Sequence, residues 1–285
     1  MSLRESATMR VQRYTDARAF NDRIVPALAS AEHESNVLLG AARRLAGAPD
    51  ETVVMAGVEE DGRITCAALL TPPFNLLISP APAAALEALG EHLHAWGVAL
   101  PGVIGLATTS DSFAALWQRR CGCRAERGKE MRLLALATAP QLPSTHGVLR
   151  AATAGDGPLC VVWAKEFFHE TGLPPHEHGV FVAELDDALS ARRLWLWETD
   201  GRPVSMLRHN MTTARSARIG MVYTAPAWRG RGFATAAVAE ASRRLLAGGC
   251  SWCLLFADVE NPTSTALYRR LGYQDVCLYR EHLFL

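Results

Sequence analysis

The stretch Ile219-Gly220-Met221-Val222-Tyr223, Thr224-Ala225-Pro226-Ala227-Trp228, Arg229-Gly230-Arg231-Gly232-Phe233-Ala234 decides the fold. It reads as a strand, a short turn, a glycine loop and the start of an alanine-rich helix that runs on to Leu246. Gly230 and Gly232, flanked by arginines at a helix start, let backbone N–H groups converge where the helix dipole is positive, which suits a phosphate or pyrophosphate. A Gly-x-Gly before a helix also serves as ordinary turn chemistry. The loop is no Walker A, because no Lys-Ser or Lys-Thr follows at the required distance. It also lacks the third glycine and the acidic strand end of a dinucleotide fingerprint. What remains is Arg-x-x-Gly-x-Ala over residues 229–234.

Downstream, Trp252-Cys253-Leu254-Leu255-Phe256-Ala257 reads as a buried strand broken by Asp258-Val259-Glu260-Asn261-Pro262. Next comes Thr263-Ser264-Thr265-Ala266-Leu267-Tyr268-Arg269-Arg270-Leu271-Gly272-Tyr273. The hexad, followed in order by Asn261, Ala266, Leu267-Tyr268 and Gly272-Tyr273, resembles the GNAT family of N-acyltransferases. That family's coenzyme A loop has Gln or Arg, two residues, Gly, one residue, then Gly or Ala. The resemblance covers residues 148–285 well and 52–136 weakly.

It implies an α/β fold of two GNAT-like domains, each a mixed, mostly antiparallel sheet flanked by helices. It also implies acetyl-CoA (coenzyme A) as cofactor. The pyrophosphate would lie on Arg229, Gly230, Arg231, Gly232, Phe233 and Ala234, and the pantetheine amides would pair with the backbone of Met221, Val222 and Tyr223. Asn261 matches the family asparagine near the pantetheine arm, and as Asn before Pro262 it also suits a helix cap. A strand of no special role would look the same as residues 221–223.

The chain has 285 residues, 49% hydrophobic and 20% charged, enough to bury one large or two medium cores. Lys plus Arg equals Asp plus Glu at 29 each, so no net field draws the protein to nucleic acid or an anionic membrane. A small-molecule or peptide amine is the expected partner. Residues 1–20 are polar and carry Arg4, Arg10, Arg13 and Arg18, unlike a secretory leader, and no later apolar run is long enough to span a bilayer. A cytoplasmic location is expected. The seven cysteines suit reduced thiols better than a disulfide framework. Cys121-Gly122-Cys123 and Cys250-Ser251-Trp252-Cys253 lack the spacing of a zinc site, and no metal is expected.

An internal repeat runs through the chain. Residues 52–58 and 64–69 flank Asp61-Gly62, and residues 194–199 and 203–207 flank Asp200-Gly201, so both read as hairpins around an Asp-Gly turn. The run Phe113-Ala114-Ala115-Leu116-Trp117-Gln118-Arg119-Arg120-Cys121-Gly122-Cys123 echoes residues 265–273 with one residue inserted, and residues 131–136 echo 279–285 as a final strand. Residues 138–147, with Pro140 and Pro143, read as a linker. The domains are therefore expected at 1–139 and 147–285. In the second, residues 148–153 read as a first strand, and Asp156 with Pro158 starts a helix that ends at Thr171-Gly172-Leu173-Pro174-Pro175. The first half has no pyrophosphate loop, because Pro80 and Pro82 remove two amide donors at the equivalent place. It reads as a degenerate copy.

Acyl transfer from a thioester to an amine needs a neutral amine, a place for the developing oxyanion and a proton for the leaving thiolate. Tyr268 matches the tyrosine that sits by the acyl sulfur in GNAT enzymes, and a packing role beside Leu267 and Leu271 is the alternative. The strand that carries a glutamate in many relatives offers no carboxylate here. His209, Glu166 and Glu170 are candidate proton relays, and His176-Glu177-His178 suits a solvated loop or an acceptor site. The expected function is acetyl transfer from acetyl-CoA to a primary amine. The alternative is an acyl-CoA-binding sensor or scaffold without turnover.

Overall fold

The computed structural model describes residues 9–45, 52–172 and 178–285, with the backbone alone at 178–181. Arg4, residues 173–175 and His176-Glu177 lie outside these. The first half runs β1 (Met9–Tyr14), α1 (Ala17–Ala27), α2 (Asn36–Leu45), β2 (Val54–Glu60), β3 (Arg63–Leu70), β4 (Leu76–Ile78), α3 (Ala83–Ala95), β5 (Gly102–Leu106), α4 (Ala107–Cys121) and β6 (Ala125–Leu136). The second runs β7 (Val148–Ala151), α5 (Gly157–Thr171), α6 (His178–Ser190), β8 (Leu194–Thr199), β9 (Arg202–Met211), β10 (Ser216–Thr224), α7 (Phe233–Ala247), β11 (Trp252–Asp258), α8 (Pro262–Arg270) and β12 (Gln274–Phe284).

Local chemistry explains the repeat. Asp61 and Gly62 join β2 to β3 with φ of 49° and 75°, and Asp200 and Gly201 join β8 to β9 with φ of 48° and 70°. Two consecutive left-handed residues match the twist of the paired strands, so each hairpin forms from its own turn. Pro158 stands in the first turn of α5, ahead of which Thr153 and Asp156 cap one another reciprocally. Arg150 donates to Asp156 through both terminal nitrogens at 2.8 and 3.0 Å and holds its carboxyl well below the usual range.

The chain divides into two compact units. The first comprises residues 1–133, Ala257–Asn261 and Asp275–Leu285, with strand order β1-β2-β3-β4-β5-β12-β6. Its early pairings are antiparallel, β4 to β5 is parallel, and β12 is antiparallel to β5, with Tyr279 opposite Leu106 and Leu283 opposite Gly102. Both faces of this sheet are covered. Val54, Ala56 and Val58 pack with Leu86 and Leu89 of α3 and Phe113 of α4. Val53 and Met55 pack with Phe20 and Ile24 of α1 and Leu38 and Leu39 of α2. The alternation along β2 thus assigns its two apolar sets to two helical layers.

The second unit comprises Leu134–Phe256 and Pro262–Gln274, and its strands run β11-β10-β9-β8-β7. All are antiparallel except β10 to β11. Each unit is a mixed, mostly antiparallel sheet flanked by helices, as the resemblance implied. Helix α6, which the sequence reading did not resolve, places Leu185 and Ala188 in a core with Trp163, Ala164, Met206, Met221 and Tyr223. Helix α7 is lined by small buried residues, Ala236, Ala237, Ala239, Ala241 and Ser242, which let it approach β9 and β10 closely. No helix among the described residues is long and apolar enough to cross a membrane.

Candidate active site

The site is built on β10, the loop after it and the start of α7. β10 pairs in parallel with β11 from Ser216 to Ile219 only, opposite Trp252 to Leu255. On its other edge the register against β9 slips between Gly220 and Tyr223, where three residues of β10 advance against two of β9. Met221 takes φ of 49° at this bulge and buries its side chain in the core against Trp163 and Tyr223. A methionine in the left-handed region is strained and persists because the surrounding structure holds it there. Gly220 carried the sequence signal, since a lone glycine inside a strand marks a bulge. Among the described residues the register to β11 ends at Ile219, so β11 leaves the edge of β10 open at residues 220–223, ahead of the Thr224 carbonyl that Arg229 holds.

After the turn at Pro226–Trp228 the chain reaches Gly230 with φ of 75° and Gly232 with φ of 82°. Gly232 is the N-cap of α7, and no side chain caps that helix. The Gly232 carbonyl accepts from Ala236 N–H at 2.9 Å, which starts the helix. A Cβ on Gly232 would stand 3.3 Å from Thr145 Oγ1. Two left-handed glycines ahead of an uncapped helix form a nest of N–H donors fitted to an anion. Arg231 lies over the Trp228 ring at 5.0 Å, and Trp228 meets Phe233 edge to face at 6.0 Å.

Arg229 is committed elsewhere. It donates to both oxygens of Glu170 on α5 at 2.7 and 2.8 Å and through Nε to the Thr224 carbonyl at 2.9 Å. Its guanidinium also lies 5.4 Å from the Tyr223 ring centre. Glu170 pushes the Arg229 pKa up. Burial, then the Glu170 charge, raises that of Tyr223. The motif arginine thus fastens the loop to α5, a link between residues 170 and 229 that no local pattern in the sequence discloses.

Tyr268 on α8 is buried, 7% exposed, beside Tyr273 with ring centres 6.0 Å apart. Burial pushes its pKa up to about 12, so the hydroxyl keeps its proton at any physiological pH. Tyr273 shares a 2.7 Å hydrogen bond with Ser242 of α7. Asn261 precedes α8 and belongs to the first unit, where its backbone N–H donates to the Asp258 carbonyl at 3.0 Å.

His209 stands opposite Ile219 of β10, one residue before Gly220, on the face of the sheet away from Glu166 and Glu170 of α5. Met206 faces α5 and α6, and Arg208 points the same way, with its guanidinium 3.8 Å from Glu184 of α6. Alternation therefore places His209 on the opposite face, where its ring lies 4.4 Å from that of Trp195, under Arg244 of α7. Both its ring nitrogens are buried, with the Arg192 backbone as the polar group that favours its charged form. Burial, then the Arg193 charge, lowers its pKa to about 4. Among the described residues no group of three or more His, Cys, Asp or Glu could hold a metal ion.

Residues 160–273 match the model of the acetyltransferase (GNAT) family, and this segment is a GNAT acetyltransferase domain. No curated protein matches the chain. Among solved structures, a GCN5-related N-acetyltransferase from Sphaerobacter thermophilus is similar at 21% identity and TM-score 0.64, over 96% of this chain and 94% of that one. A Drosophila protein is similar at 15% identity and TM-score 0.69, over 98% and 99%. A tandem GNAT protein from the clavulanic acid biosynthesis pathway is similar at 12% identity and TM-score 0.57, over 96% and 98%. At these identities the likeness is one of fold. It extends along both halves of the chain.

Proposed function

We propose that the protein transfers acetyl from acetyl-CoA to a primary amine of a small molecule or peptide, in the cytoplasm. The observation that carries the reading is the uncapped start of α7 with its two left-handed glycines, set directly after the bulged, half-paired strand β10. The GNAT family uses acetyl-CoA as cosubstrate, and these residues fit it. The nest from Arg229 to Ala234 supplies N–H donors for a pyrophosphate, and the free edge at Met221, Val222 and Tyr223 supplies main-chain partners for amides. Asn261, just before α8, is assigned to the pantetheine arm.

Bound acetyl-CoA supplies the activated acetyl group. The chain supplies orientation, amide donors that accommodate negative charge at the carbonyl oxygen, and a proton. Tyr268 holds that proton in a phenol that burial keeps neutral, ready for a departing thiolate. Residues 1–139 and 147–285 are read as the two copies of the repeat, with cofactor binding confined to the second. At the equivalent place in the first copy, α3 starts after Pro80 and Pro82, which bring no N–H to a nest. The balanced net charge supports a small acceptor over nucleic acid.

A second reading, an acyl-CoA-binding sensor, is favoured by one observation: β10 offers no carboxylate, and Glu170 is bound to Arg229. One screen separates the two. Purified protein with acetyl-CoA is tested against amino acids, amino sugars, polyamines and peptide N-termini, with released thiol as readout. Turnover with any amine supports the enzyme, and tight acetyl-CoA binding with no turnover across the panel supports the sensor.

A further inference from the structure

Ser205, on β9, is fully buried and stands opposite Thr224 across the sheet, one residue past the bulge of β10. Its hydroxyl donates to the Tyr223 carbonyl at 2.8 Å and accepts from the Thr224 hydroxyl at 3.0 Å. The next carbonyl, that of Thr224, accepts from Arg229 Nε at 2.9 Å. Two successive carbonyls just past the bulge are thus turned toward side-chain donors. The ladder to β9 has resumed by then, with Tyr223 opposite Met206, and the Ala225 N–H continues it by donating to the Val204 carbonyl at 3.2 Å.

We infer that Ser205 is a positioning residue for the acyl end of the cofactor. The inference rests on the acetyltransferase reading above. The left-handed turn at Met221 persists only if the residues around it are fixed. On one side Met221 is fixed by packing, and on the other by the ladder at Tyr223 and Met206 together with the Ser205 hydroxyl on the Tyr223 carbonyl. Because Tyr223 is also paired with Met206 in the ladder to β9, the Ser205 hydroxyl is a second donor on its carbonyl. Without it the peptide plane is held by the ladder alone and can tilt. The Tyr223 and Thr224 groups on either side would then lose the orientation that the free edge needs to meet a thioester and its amides. Arg229 cannot substitute, because its Nε is engaged one residue further on. Serine at this place therefore sets the geometry of the strand edge without touching the ligand, while the nest at Gly230 and Gly232 stands on its own backbone torsions.

This separation gives the test. Calorimetry on the full chain compares acetyl-CoA with 3′-phospho-ADP, which carries the pyrophosphate end but no pantetheine or acyl group. Ser205→Ala should raise the acetyl-CoA Kd by about tenfold, the scale of one lost buried hydrogen bond. It should leave 3′-phospho-ADP affinity at the wild-type value, and Ser205→Thr, which keeps the hydroxyl, should restore acetyl-CoA binding. Wild-type acetyl-CoA affinity in Ser205→Ala would overturn the inference. So would an equal loss for both probes, the mark of a generally loosened domain that melting curves of the same samples would register. Failure of the wild-type protein to bind either probe would instead remove the acetyltransferase reading on which the inference stands.

Discussion

Two residues with shifted acidities make opposite contributions, and each shift has a sign that can be checked. Tyr268 keeps its proton to about pH 12 in the folded state, against about 10 in an unfolded chain. Its stabilising contribution is therefore complete below pH 10 and lost as pH rises through 12. If its phenol protonates the leaving thiolate, Tyr268→Phe lowers kcat by about 10²-fold while melting temperature and acetyl-CoA affinity stay at wild-type values. Unchanged turnover, with chemistry limiting, would take Tyr268 out of the mechanism and return it to packing beside Tyr273. His209 behaves in the other sense. Its folded pKa of about 4 lies below the unfolded value of about 6.5. It therefore contributes stability above pH 6.5 that is lost as pH falls through 4, up to about 3 kcal/mol. His209→Phe keeps a ring against Trp195 and removes the titration, so denaturant melts at pH 4 and pH 7 should differ less in the variant than in the wild type. An identical pH dependence would show that another group controls acid stability.

At the scale of elements, the loop and α7 act as one device. Gly232→Val forces a β-branched residue to φ of 82° and drives a Cβ toward Thr145 Oγ1 at 3.3 Å. Amides that should converge on the pyrophosphate are displaced, and the acetyl-CoA Kd should rise at least about tenfold. Arg243→Ala should leave it unchanged, because Arg243 lies further along α7, paired with Glu240 at 2.7 Å. Equal affinities by calorimetry would show that the loop does not hold the phosphates. How legible these elements were depended on where their causes lie. The two hairpins and the loop are specified by Asp61-Gly62, Asp200-Gly201 and Gly230 with Gly232, residues whose torsions are a local property. The bulge was half visible, since Gly220 marks it but nothing in Ile219-Gly220-Met221-Val222 says that the left-handed residue is the methionine. The Arg229 to Glu170 clamp and the Ser205 bond to Tyr223 join residues far apart in the chain, and periodicity carries no sign of either. His209 read as a candidate relay because strand neighbours look adjacent in sequence, whereas alternation sends it to the far face.

For the molecule as a whole, the least legible fact was the position of β12, because a strand's own pattern does not say which neighbour it will choose. It lies between β5 and β6 in the first unit, whose other strands come from residues 9–136. Polar side chains fix it there. Asn75 donates to Glu281 at 2.6 Å, His282 meets Asp111 at 2.7 Å, and Arg280 bonds Asp111 and Glu130. A chain ended after Gln274 should therefore lose protection at residues 102–106 of β5, with amide exchange there rising roughly a hundredfold or more. Wild-type exchange in β5 would show that the unit stands without its last strand. The same placement sets a timetable for synthesis. A nascent chain that has produced residues 1–133 still lacks the strand that closes this sheet, and about 140 residues must follow before it can be inserted. At 5–20 residues per second that is a wait of roughly 7–30 s. During it, the unpaired edges of β5 and β6 are templates for any extended segment nearby, so slowing translation of the second half should increase the share of chains that a ribosome-associated chaperone captures.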